Sequence, residues 1–84
     1  MQTNLSHCAV GEKIEIISIE DDFIATKLIE MGVTEKLQTK VVLIAPLGDP
    51  IAIDINGFIL SIRKAEARKI LVKKLAKSQN SNIT

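Results

Sequence analysis

The sequence predicts a mainly-β domain, a small and partly open barrel of about five strands with one short α-helix inserted. Three observations predict it. Apolar residues make up 46% of the 84-residue chain but aromatic residues only 2%, so the core is aliphatic and rich in isoleucine. β-Branched side chains of that kind pack well on a pleated surface. Several short runs alternate apolar and polar residues, which is the pattern of a half-buried strand. Finally, Asn56-Gly57 sits between two such runs and is the strongest short-range hairpin signal.

The elements follow in order. Ile14 and Ile16 alternate with charged neighbours in the run from Glu12 to Ile19, while Ile17 breaks the alternation and points to a bulge or to burial on two sides. The period then changes. Ile24, Leu28 and Met31, with Ala25 and Ile29 beside them, form one helical face between Asp21-Asp22 and Gly32. Asp21 or Asp22 suits the cap of that helix, where amides are free and negative charge is favoured. Gly32 suits its left-handed terminus, with Val33 closing back on Leu28 in a Schellman arrangement.

Leu37 to Ile44 reads as the second strand, alternating at first and fully apolar at its far end, which is expected to be the more deeply covered. The corner Ala45-Pro46-Leu47-Gly48-Asp49-Pro50 comes next, with Pro46 and Gly48 placed for a type I turn and Asp49 restricted to extended geometry by Pro50. A two-residue turn at Asn56-Gly57 then pairs Ile55 with Phe58, Ile53 with Leu60 and Ile51 with Ile62. All six are apolar and share one face, directed to the core, which turns Ala52, Asp54, Ile59 and Ser61 outward. Arg63 to Lys69 favours a helical turn, and Ile70-Leu71-Val72 a closing strand. A continuous helix from Lys64 to Leu75 competes with that reading, since Ala67, Leu71 and Leu75 are also helically spaced. Residues 1–75 make one domain, and the polar stretch 76–84 is expected to be a disordered tail. With mostly local connections, this order suggests a barrel of the SH3-like type.

Little in the chain carries catalytic chemistry. His7 and Cys8 are the only histidine and the only cysteine, and nothing near them supplies the orienting third group of a nucleophile pair. Zinc sites take about four Cys or His ligands, and these two could borrow only Glu12 or Glu15. Gly48 and Gly57 belong to turns, so no phosphate loop is present. We expect no enzyme, no cofactor and no metal centre. No apolar run reaches the length of a membrane helix and no signal peptide is visible, so a cytoplasmic protein is expected. The net charge of +1 hides an asymmetry. Residues 1–62 carry four lysines against nine acids, a balance of −5, while residues 63–84 carry seven basic residues against Glu66, a balance of +6.

The stretches "GEKIEIISI", "LIEMGVT" and "VVLIAPLGDPIAIDINGFILSIRKAEARKILV" resemble the FeoA family, small cytoplasmic proteins of ferrous iron transport. The resemblance covers residues from about 5 to 73 in order. It implies an SH3-like barrel and a non-catalytic adaptor role beside the ferrous iron permease FeoB, whose cytosolic GTPase domain is the implied partner. The membrane is then reached only through that partner, and no small-molecule substrate is implied. Pro46, Leu47, Gly48, Asp49 and Pro50, together with Ile59, are the expected contact surface, because rigid exposed loops on a barrel are where binding resides. The chain departs from the family at Glu35-Lys36, where a Pro-Gly turn is usual, so a differently shaped turn is expected there. A nucleic-acid-binding module using the basic residues from Arg63 to Lys77 is the alternative, and a metal-binding accessory using His7 and Cys8 ranks third.

Overall fold

The structure, a computed structural model, describes residues 2–75. The tail expected at 76–84 lies outside the described residues. Six strands are present among them: β1 (Gln2–Asn4), β2 (Lys13–Ile19), β3 (Gln38–Ile44), β4 (Ile51–Ile55), β5 (Phe58–Ile62) and β6 (Ile70–Lys74). Two short helices interrupt them, α1 (Asp22–Glu30) and α2 (Lys64–Ala67). The strands form one antiparallel sheet in the order β1-β6-β2-β3-β4-β5, so β1 and β5 are its edges. This is the SH3-like architecture the sequence predicts, with one strand more. Gln2-Thr3-Asn4 carries no strand signal in sequence, because three polar residues are too few to show a pattern; the pairing with β6, Thr3 opposite Val72, holds β1 in place.

The core is aliphatic. Leu5, Ile14, Ile16, Val33, Val41, Ile51, Ile53, Ile62, Ile70 and Val72 are essentially inaccessible. Burying each such side chain stabilises the fold by roughly 1.5–3 kcal/mol relative to leaving it exposed. Leu5 joins them from a short 3-10 turn, Leu5–His7, whose cap is the Asn4 side chain accepting the Ser6 N–H at 3.0 Å.

The local signals set the geometry. In β2 the register slips between Ile16 and Ser18, which makes Ile17 the extra residue of the expected bulge. α1 begins where Asp21 Oδ1 accepts the Ile24 N–H at 3.1 Å. It ends in a Schellman motif: Gly32 takes φ +96°, the Val33 N–H donates to the Leu28 carbonyl, and the Gly32 N–H to the Ile29 carbonyl. The expected helical face is covered less than its spacing suggested. Only Leu28 is buried, Ile24 packs partly on the core, and Ile29 and Met31 remain exposed, because α1 lies over the sheet by a narrow line of contact. Lys64 to Leu75 is not one helix: α2 is a single turn, and β6 runs between β1 and β2.

Three orientations differ from expectation. The far end of β3 is less covered than its start, with Leu43 exposed, because a slip between Val41 and Leu43 turns the chain over. Phe58 is 56% exposed, although it pairs with buried Ile55 on the core-facing side. It lies on the edge strand, with no further strand to cover it. Ala52 is buried instead of exposed, since its small side chain lies between Leu43 and Ser61 across the sheet.

Candidate functional site

The corner between β3 and β4 is held at several points. The Gly48 N–H donates to the Ala45 carbonyl at 2.9 Å, and the Ala45 N–H donates to the Pro50 carbonyl at 3.0 Å. Asp49 is extended, as expected, and the Asp49–Pro50 peptide is cis. Its Oδ1 accepts the Lys64 N–H at 3.0 Å, which ties the corner to the first turn of α2. The Lys64 side chain also lies over Gly48: a Cβ added there would sit 3.5 Å from the Lys64 Nζ.

The turn is not of the type I expected. Leu47 follows Pro46 with φ 70° and ψ 8°, the geometry of the third residue of a type II turn, and Gly48 is left-handed too. A left-handed backbone costs an ordinary L-residue roughly 1–2 kcal/mol. Leu47 receives no packing in exchange, since it is 97% exposed. An apolar side chain thus stands in solvent on a strained and anchored turn, a combination that points to function more than to folding.

A second apolar group lies on the outer face of β3, β4 and β5. Ile59 is exposed opposite Asp54, and Leu43 is exposed opposite the covered Ala52. Sequence reasoning missed Leu43 because strict alternation from Thr39 and Val41 turns residue 43 inward; the slip in register reverses it. Pro46, Leu47, Asp49 and Pro50 are exposed and Gly48 half-buried, and Ile59 sits apart from them on β5.

The other candidate residues do not assemble. His7 is exposed, with Nδ1 3.1 Å from Thr3 Oγ1, while Cys8 is buried, its thiol 3.8 Å from the Asn4 carbonyl oxygen. Burial pushes the Cys8 thiol above its ordinary value, Glu12 adds to the rise, and Lys74 opposes it. A thiol held protonated is a poor nucleophile and a poor metal ligand. Among the described residues no three His, Cys, Asp or Glu side chains gather as metal ligands. A shallow groove of about 270 Å3 is bounded by Lys13, Lys40, Asp54 and Asn56. The Asp54 groups there are engaged within the protein: its carboxylate accepts the Gly57 N–H at 2.8 Å and its carbonyl accepts the Thr39 hydroxyl.

The basic residues are spread over several elements. Arg63 and Lys64 adjoin the corner, Arg68 and Lys69 form the turn before β6, and Lys73 lies opposite Glu15 in the sheet. Lys74 pairs with Glu12 at 3.3 Å. Among the described residues no helix is long and apolar enough to cross a membrane.

Known proteins share this fold. The chain is similar to a FeoA protein of Chlorobium tepidum, 33% identical, with a TM-score of 0.81 over 92% of this chain and 74% of that one. It is equally similar to a FeoA-like protein of Clostridium acetobutylicum, 32% identical, with a TM-score of 0.81 over 93% and 92% of the two chains. A crystal structure of an iron uptake regulatory protein, FeoA, superposes with a TM-score of 0.79 at 31% identity, over 89% of this chain and 99% of that one. A manganese-dependent transcriptional repressor shares the fold at 19% identity, over 88% of this chain and 37% of its own. No curated protein sequence matches the chain. The sequence model of the FeoA domain matches residues 3–74, nearly all of the described structure, and the chain belongs to the FeoA family.

Proposed function

We propose that this protein is a non-catalytic adaptor of ferrous iron uptake that docks on the cytosolic GTPase domain of a FeoB-type permease. Family membership supports the link to ferrous iron transport. The single observation that carries the docking surface is Leu47, 97% exposed on a left-handed backbone at an anchored corner. The backbone that carries this side chain is already ordered, so it loses little conformational freedom when a partner covers Leu47, which raises affinity for the same contact area. Pro46, Gly48 and Pro50 hold the turn, Asp49 locks it to α2, and Ile59 offers a second apolar contact on the outer face.

Titration of the isotope-labelled protein with the GTPase domain of its own permease tests this reading. Amide shifts clustered at residues 45–51 are the expected result. Their absence at high partner concentration overturns the adaptor reading. The nucleic-acid alternative has less support, because Lys73 and Lys74 of the basic end face Glu15 and Glu12 within the protein.

A further inference from the structure

The two edges of the sheet are unlike. β1 is three residues long and polar, a short edge of the kind that resists pairing with other chains. β5 is five residues long, Phe58-Ile59-Leu60-Ser61-Ile62, with no charge, proline or glycine. Its pairing with β4 through a two-residue turn, both turn residues having positive φ, makes Phe58, Leu60 and Ile62 the residues hydrogen-bonded to β4. The backbone N–H and C=O groups of Ile59 and Ser61 are therefore directed away from the sheet. On the core-facing side of the same edge, Phe58 is 56% exposed and Leu60 only half-buried. The core is unfinished where β5 ends the sheet.

We propose that β5 pairs antiparallel with β5 of a second copy of this chain about a two-fold axis at Leu60. The strand is complementary to itself in three respects. Ile59 comes opposite Ser61 of the other copy, and the converse, so the outward amides and carbonyls of both strands find partners. Phe58 comes opposite Ile62 of the other copy and Leu60 opposite its own equivalent, which covers the two core-facing side chains left open. The same register brings each Arg63 beside the Asn56-Gly57 turn of the other copy, on the outer face that carries Asp54, so opposite charges approach twice and no like charges are opposed. Such an isologous contact closes at two copies and does not propagate. It leaves the β3–β4 corner free and draws in only Ile59 of the docking residues, so its test, made without the permease domain, fails or succeeds separately from the docking reading above.

The test is sedimentation of the full chain from about 10 µM to about 1 mM, a range that brackets a weak specific contact. Hydrogen exchange is followed at Ile59 and Ser61 in the same samples. The mass should move from monomer to dimer, with exchange at those two amides slowing as concentration rises. Ser61→Pro removes a donor at the free edge while sparing the bonds to β4, and Phe58→Lys sets a charge against Ile62 of the other copy. Each should weaken the dimer at least about tenfold with a cooperative unfolding transition retained. Phe58→Lys keeps the test decisive where Ser61→Pro fails to fold. A monomer at every concentration, or a dimer unmoved by Phe58→Lys, overturns the proposal. So does exchange protection of Ile59 and Ser61 that is independent of concentration, which would place another segment of the same chain on the edge.

Discussion

At Leu47 a leucine occupies a backbone conformation that glycine adopts at little cost, and its side chain packs on nothing. Folding and binding should therefore separate there. Leu47→Gly is expected to leave stability unchanged or to raise it by up to about 1 kcal/mol, the relief of strain being partly offset by the greater freedom of glycine in the unfolded chain. Affinity for the permease domain should fall about tenfold or more, as at a buried apolar anchor. Urea unfolding and the amide titration check the two halves separately. Asp49 offers no such separation, because its carboxylate holds the Lys64 N–H and its loss disturbs α2 as well. Cys8 carries the second prediction at this scale. Its folded value is raised, chiefly by burial, above the ordinary 9.0 that the unfolded chain retains. The stability this contributes is complete below about pH 9 and is lost as the pH climbs through the folded value. The urea midpoint of the native protein should fall above pH 9 more steeply than that of Cys8→Ala, and a thiol reagent at pH 8 should label the native protein far more slowly than the unfolded one.

Among the elements, the two turns around α1 and β3 give predictions of opposite sign. Gly32 ends α1 with φ +96°, and a Cβ there would lie 3.1 Å from Ile55 Cγ2. Gly32→Ala should cost about 1–3 kcal/mol of stability, from the left-handed backbone and from pressure on a core isoleucine. At Glu35-Lys36 the chain turns tightly: the Leu37 N–H reaches the Thr34 carbonyl at 3.2 Å, and Lys36 takes φ 70°. Lys36 stands in the left-handed conformation that a glycine would accept freely, so Lys36→Gly should stabilise the protein by up to about 1 kcal/mol in the same urea assay. These elements also show what could be read from sequence. The Asn56-Gly57 register, the cap at Asp21 and the close at Gly32 were legible because each is fixed within a few residues. The bulge at Ile17 was legible because it breaks a pattern already established. Leu43 was not, since its outward turn follows from a slip against β4 inside an unbroken apolar run. Neither was β1, whose existence depends on β6, about seventy residues away. Of the candidate site, the corner was legible from its prolines and glycine, but the left-handed Leu47 was not, because sequence preference assigns that conformation to glycine.

For the molecule as a whole, the charge split becomes an internal complement. The chain returns through β6 between β1 and β2, so basic residues of its last third come to face acids of its first. Lys74 lies 3.3 Å from Glu12 and Lys73 is opposite Glu15 in the sheet, while Lys27 of α1 lies 3.5 Å from Glu66 of α2 in the converse sense. Pairs this open to water contribute at most about 1 kcal/mol each and are screened by salt. Raising the salt from about 20 mM to about 0.5 M should therefore lower the stability by roughly 1 kcal/mol, read as a lower urea midpoint with an unchanged slope. The sign of that change decides what the basic end is for. A loss of stability means that its charges are used against the acidic strands, leaving fewer for a polyanion. A gain means that like charges repel in the native state, and the basic end would then be available to nucleic acid. In that case binding to a labelled RNA or DNA should weaken steeply with salt and should be lost when Arg68 and Lys69 are neutralised. We expect the loss, because Glu15 lies opposite Lys73 in β2 and Glu12, the partner of Lys74, immediately precedes that strand, which also buries Ile14 and Ile16, so the complement forms whenever the core does.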